Sequence, residues 1–120
     1  MVLVDTSVWV DHFRQGIPLL EDILSSGQAT THQFIIGELA CGNLKNRTQI
    51  LNLFSDLPSL KTATHEEALH FIEIHSLSGA GIGWIDVHLL ASAILSHTPL
   101  WTRDKKLNTI AEELGIAGKE

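Results

Sequence analysis

A single cysteine, Cys41, stands among 120 residues, which excludes an internal disulfide and every multi-cysteine metal cage. No apolar run approaches the roughly 18 residues a membrane helix needs. The N-terminus also lacks the pattern of a secretory signal, so a soluble cytoplasmic protein without membrane contact is expected. Basic residues are scarce as well: eight face fourteen acids, for a net charge of −6. That balance argues against wholesale coating of a polyanion by a basic surface, while a nucleic acid held locally through metal ions stays open. Repeats, linkers and low-complexity segments are absent, and no Ser or Cys nucleophile has a local signature.

What is present follows an α/β rhythm. With 44% hydrophobic residues, residues 1–120 read as one domain, long enough to bury about two-thirds of the surface it would expose unfolded. A mean hydropathy of +0.15, together with Trp9, Trp84 and Trp101, points to more apolar surface than one core consumes. Self-association or a partner is therefore expected.

Val2-Leu3-Val4 reads as a strand covered on both faces and ends at Asp5-Thr6-Ser7, where Thr6 or Ser7 would cap a helix from Val8 to Arg14. Gly16-Ile17-Pro18 breaks the chain before a short helix, Leu19 to Leu24, and Gln28 to Thr30 reads as a second strand. A helix from Thr31 to Cys41 carries Glu38 close to an apolar stripe. A further helix, Arg47 to Leu57, turns Ile50, Leu51, Leu53 and Phe54 inward and stops at Pro58. Leu60 to Ala63 reads as a third strand. Thr64-His65-Glu66-Glu67 is a capping box that opens the next helix. Ile85 to His97, rich in Leu, Ile and Ala, reads as a buried helix with Asp86 in its first turn. Pro99 to Thr102 is an apolar strand, and Asp104 sits on the turn into a last helix, Lys105 to Leu114.

Seven histidines invite a zinc reading. His65, His70 and His75 fall five apart, however, which turns each ring about 140° from the last, so they share no face. The histidines read as polar-face residues and Cys41 as a small buried hydrophobe.

An Asp after a strand most often caps the following helix. Here two of them, Asp5 and Asp104, follow short hydrophobic strands, and in an open α/β sheet such turns point into one crevice. If Asp5, Glu38, Asp86 and Asp104 converge, carboxylates about 5 Å apart repel by roughly 3 kcal/mol at an effective dielectric of 20. Such a cluster either protonates in part or binds a cation, and an all-oxygen, anionic donor set suits Mg²⁺ or Mn²⁺. Metal-assisted phosphodiester hydrolysis is the matching reaction class. Arg103, Lys105 and Lys106 flank Asp104, and Lys45 and Arg47 follow the Glu38 helix. Singly these read as solvated charges; as a group they could touch backbone phosphates.

An apolar strand ending in Asp5-Thr6-Ser7, then Glu38, then Asp86 heading an Ala-rich helix, then Thr102-Arg103-Asp104 after a strand: in this order the chain resembles a PIN domain, and in length the VapC-type ribonuclease toxins of toxin–antitoxin pairs. The resemblance implies a three-layer α/β/α fold with a short, mostly parallel central sheet. It implies an endoribonuclease dependent on Mg²⁺ or Mn²⁺, a homodimer, and a cognate antitoxin whose C-terminal segment blocks the pocket. By that likeness Asp5, Glu38, Asp86 and Asp104 bind metal, while Ser7 and Thr102 support them with hydroxyls. Many members carry a further acid two residues after the last Asp. Lys106 stands there instead, which implies one well-held ion and a weaker one arriving with substrate.

Rival readings make different demands. A phosphoacceptor receiver domain would want paired acids after the first strand and an Asp after a middle one, yet Asp5 is single and no Asp follows Leu60 to Ala63. A haloacid-type phosphatase would want Asp-x-Asp where Asp5-Thr6-Ser7 stands. A PIN-like RNA-binding module without catalysis would have no need of four acids.

Overall fold

The computed structural model describes residues 1–118. The elements run β1 (Val2–Val4), α1 (Thr6–Gln15), α2 (Pro18–Ser25), β2 (Ala29–Thr30), α3 (Gln33–Cys41), α4 (Arg47–Asp56), α5 (His65–Ile74), α6 (Trp84–Leu95), β3 (Leu100–Trp101) and α7 (Lys105–Glu113). The sheet has the order β2-β1-β3. Both pairings are parallel, with Leu3 beside Thr30 on one side and Leu100 on the other. From the central strand the chain first crosses one way and then returns past it. Right-handed crossovers in opposite directions put their helices on opposite faces of the sheet, which gives the α/β/α layering.

All three residues of β1 are buried, as a strand covered on both sides requires. α6 is the other half of the core, with every residue from Val87 to Ala93 buried; a helix apolar all round belongs inside. Trp9 and Trp101 are both fully buried, and the Trp9 ring meets Phe54 edge-on with centroids 4.6 Å apart. Two of the three tryptophans are therefore core, and only Trp84 adds to the apolar surface.

Several elements depart from expectation for local reasons. Asp5, rather than Thr6 or Ser7, caps α1, taking the Ser7 N–H on its own carboxylate. Leu60 to Ala63 forms no strand. A single bridge between Thr31 and Ser59, closed by Thr31 N–H to Pro58 O and Leu60 N–H to Thr31 O, both at 2.9 Å, is all that pairs there. Leu53 turns out to solvent, and Cys41 is exposed at the end of α3. The capping box at α5 is present in both halves: Thr64 Oγ1 accepts from Glu67 N at 3.0 Å, and Thr64 N donates to Glu67 Oε1 at 2.8 Å. His32 and His88 are buried instead of lying on polar faces.

Candidate active site

β1 and β3 lie side by side and end together, with Asp5 N donating to Trp101 O at 2.9 Å. Their carboxyl ends open at the point where the crossovers diverge, the usual place for a site in a sheet of this kind. Asp5 is buried there, 6% exposed. Its Oδ2 receives the Ser7 hydroxyl at 2.6 Å and the Thr102 hydroxyl at 2.8 Å. Each hydroxyl in turn accepts a backbone N–H: Arg103 N to Ser7 Oγ at 3.0 Å and Asp104 N to Thr102 Oγ1 at 3.1 Å. With both hydroxyl protons directed at Asp5, the 3.2 Å approach of Ser7 Oγ to Thr102 Oγ1 needs no proton of its own. Ser7 and Thr102 thus lock the turn after β3 onto the turn after β1.

The other three acids are brought in by different elements. Glu38, on the exposed side of α3, accepts the Thr6 hydroxyl on Oε1 at 2.7 Å, which ties it to the residue next to Asp5. Thr6 had been weighed only as a cap, and its actual use, a contact over 32 residues, leaves no trace in local sequence. Asp104 caps α7, accepting Leu107 N on Oδ1 at 2.9 Å. Asp86 lies in the first turn of α6. Gly83 has no side chain to complete a capping box there, so only the reverse half exists, Gly83 N to Asp86 Oδ2 at 3.3 Å.

Asp86 reports on its neighbours. Its carboxyl is pushed above the ordinary range, first by burial and then by the negative charges of Asp5, Asp104 and Glu38, against the opposing Gly83 N–H bond. All four carboxylates therefore act within one electrostatic neighbourhood. Among the described residues no three acidic, histidine or cysteine side chains form a preformed cage for an ion. Each carboxylate is held by its own hydrogen bond. The donor set is oxygen throughout. It fits a hard divalent ion that keeps much of its water shell, and does not fit zinc.

The flanking cations divide. Arg103 Nη1 pairs with Asp11 Oδ2 at 3.2 Å, and Arg47 Nη1 reaches Gly42 O at 3.4 Å beyond the end of α3. Lys105 is exposed at the first residue of α7. Lys106 folds over the glycine-rich approach to α6; a Cβ at Gly81, whose φ is +84°, would lie 3.0 Å from its Nζ. Beside Glu38 runs a cleft of about 420 Å³ lined by Thr6, Val10, Phe13, Lys45 and Ile50 among others.

Two histidines that local reading left outside the core join the helices of the site. His32 caps α3, accepting Phe34 N on Nδ1 at 3.0 Å, and its Nε2 lies 3.1 Å from Ser92 Oγ on α6. An accepting Nδ1 fixes the neutral tautomer with the proton on Nε2. Burial, and then the neighbouring His88, hold its pKa at about 4. His88 is lowered likewise, by burial and then by His65. The signal available for His32 was its place, a polar residue between a strand and an apolar helix.

Residues 2–113 match the PIN domain family model, so the chain belongs to the PIN domain family. It is 40% identical over 118 residues to Ribonuclease VapC32 of Mycobacterium tuberculosis (strain ATCC 25618 / H37Rv), across 98% of this chain and 95% of that protein. It is 30% identical over 122 residues to Ribonuclease VapC1 of Methanocaldococcus jannaschii, across 96% of this chain and 84% of that one. Within the family it is thus of the VapC type, and the receiver and phosphatase readings fall.

Proposed function

We propose that this VapC-type protein is an endoribonuclease whose carboxylates Asp5, Glu38, Asp86 and Asp104 together hold a divalent cation, Mg²⁺ or Mn²⁺, and that it is the toxin of a toxin–antitoxin pair. The names of its relatives support the activity. The observation that supports the site is the convergence of the turns after β1 and β3, with Asp5 N donating to Trp101 O and Thr6 beside Asp5 donating its hydroxyl to Glu38; the raised carboxyl of Asp86 accords with it. A cation bound there would acidify a coordinated water and offset the charge of a scissile phosphodiester.

The chain's own residues prepare that chemistry. Ser7 and Thr102 orient Asp5, Thr6 orients Glu38, and the N-terminal turns of α6 and α7 favour negative charge at Asp86 and Asp104. Lys105, exposed beside Asp104, would meet a backbone phosphate. Arg103 would first have to leave Asp11. Lys106, at the position that is acidic in many members, leaves four carboxylates in the set, which favours one firmly held ion and a weaker one carried in by RNA.

A cognate antitoxin segment would block the site from the cleft beside Glu38, whose apolar lining and Lys45 suit a mixed apolar and acidic peptide. Homodimerisation accords with exposed Phe13, Leu69 and Ile74. No helix among the described residues is long and apolar enough to cross a membrane, and the cytoplasm is the proposed location.

Purified protein should cleave RNA only with added Mg²⁺ or Mn²⁺, and Asp5→Asn or Asp86→Asn should abolish cleavage with circular dichroism unchanged. Native-rate cleavage by either variant, with activity surviving EDTA, would overturn the assignment. For the toxin role, expression alone should arrest growth of the host and co-expression of an adjacent small gene should relieve it.

A further inference from the structure

Beside the carboxylates, aromatic and imidazole rings form a row. His32 and Phe34 have centroids 5.1 Å apart, Phe34 and His88 4.9 Å, His88 and Trp84 4.7 Å, and Trp84 and His65 5.4 Å. The row starts at the cap of α3, crosses the first turns of α6 and ends on the first residue of α5. Its inner rings are core: His32 and His88 are 0% and 4% exposed. Trp84 is 39% exposed, while the chain's other two tryptophans are fully buried. A large flat ring thus stands in water while the protein keeps its equivalents inside.

The ring is also held in place. His88 meets Trp84 at 86° and Phe34 at 80°, a near-perpendicular packing against both. His88 Nδ1 is buried without a hydrogen-bond partner, so packing between the two rings, and no bond at that atom, fixes its position. His65 also approaches Trp84, at an interplanar angle of 58°.

The row joins the acid cluster. Phe34 and Glu38 are four residues apart on α3 and share a face, so the half-buried Phe34 lies about one turn, roughly 5–6 Å, from Glu38. Trp84 and Asp86 leave the first turn of α6 on opposite sides, about a helix diameter of 10 Å apart, on the order of two nucleotides of single strand. The protein has a net charge of −6 and can draw little affinity for RNA from a basic surface. Stacking on an aromatic face is the other general source of affinity, and it requires a base not already stacked in a duplex.

We propose that the exposed part of the Trp84 ring, packed against His88 and through it against Phe34, is a stacking platform for an unpaired nucleobase of the RNA within about two nucleotides of the carboxylates. The proposal rests on the ribonuclease reading and adds a residue that positions the substrate.

The test uses the full chain with Mg²⁺ and a mixed-sequence single-stranded RNA 12-mer. Trp84→Ala should raise KM about tenfold, the scale of one lost base stack, with kcat within about threefold, and Trp84→Phe should restore most of the loss. In an inactive Asp86→Asn background the same 12-mer should quench tryptophan emission, its duplex should not, and adding Trp84→Phe should remove the quench. KM unmoved by Trp84→Ala, or equal quenching by duplex, overturns the platform alone. A wild-type protein that cleaves no RNA overturns the ribonuclease reading and the platform with it.

Discussion

Acidification from pH 7 to pH 4.5 is expected to weaken the fold through His32. The folded pKa of about 4 lies below the ordinary 6.5. Above pH 6.5 both folded and unfolded chains hold the ring neutral, and the stability is intact. Between pH 6.5 and pH 4 the unfolded chain takes up a proton that the folded one refuses, so stability falls as pH falls, by about 1.4 kcal/mol per unit. Over the roughly 2 units from 6.5 down to pH 4.5 the loss is about 2–3 kcal/mol, a large part of the roughly 5–15 kcal/mol typical of a domain. Burial, and then His88, oppose the charge, and the consequence is local: a proton on Nδ1 would face the Phe34 N–H that this atom accepts, so the cap of α3 fails as the ring charges. Urea unfolding of the wild type and of His32→Asn from pH 7.5 to 4.5 isolates the effect, because Asn still caps a helix but does not titrate. The wild-type midpoint should drop by about 1–2 M more than that of the variant. Contributions of the carboxylates are common to both proteins and cancel. Parallel pH profiles would refute the reasoning.

Asp86→Asn should leave the metal-free protein as stable as the wild type or more so, since it removes the charge that burial and three acids oppose. Its melting temperature should no longer rise on adding Mg²⁺, and an undiminished metal-induced rise would place the ion elsewhere. Thr102→Val removes the donor to Asp5 and the acceptor of Asp104 N–H. A loss of about 1–3 kcal/mol in stability and at least tenfold in cleavage rate is expected from denaturant titration and initial rates, and a fully active variant would deny Thr102 its orienting role.

The parts of this fold that local chemistry dictates could be read from the chain directly. Val2-Leu3-Val4 admits little but a buried strand, Thr64 and Glu67 satisfy each other's backbone N–H groups, and an Asp at either strand end announces a turn into a helix. The four acids could be named because each sits at a helix start or beside an apolar stripe. Failures came where distant partners decide. Leu60 to Ala63 has strand-like residues, but a single bridge at Ser59 is all the sheet offers them. Leu53 lies on the same helix as Phe54, and only the position of Trp9 decides which is covered. His32 looks like any polar residue until Ser92, 60 positions away, supplies the other end of its hydrogen bond. Arg103 reads singly as a solvated charge, and nothing near it in sequence foretells Asp11.

Both rims of the sheet are already taken by the chain itself. On one side Ser59 pairs with Thr31 beyond β2, and on the other Ala117 pairs with Leu100 of β3. There Gly118 passes so close that a Cβ would lie 2.9 Å from Leu100 O, so any larger residue at that position would lift the tail away. Among the described residues each rim thus carries one bridge of the chain's own, which leaves an added strand less of the row of N–H and C=O groups it would need. A partner is then expected to meet the helices, through side chains rather than through backbone pairing.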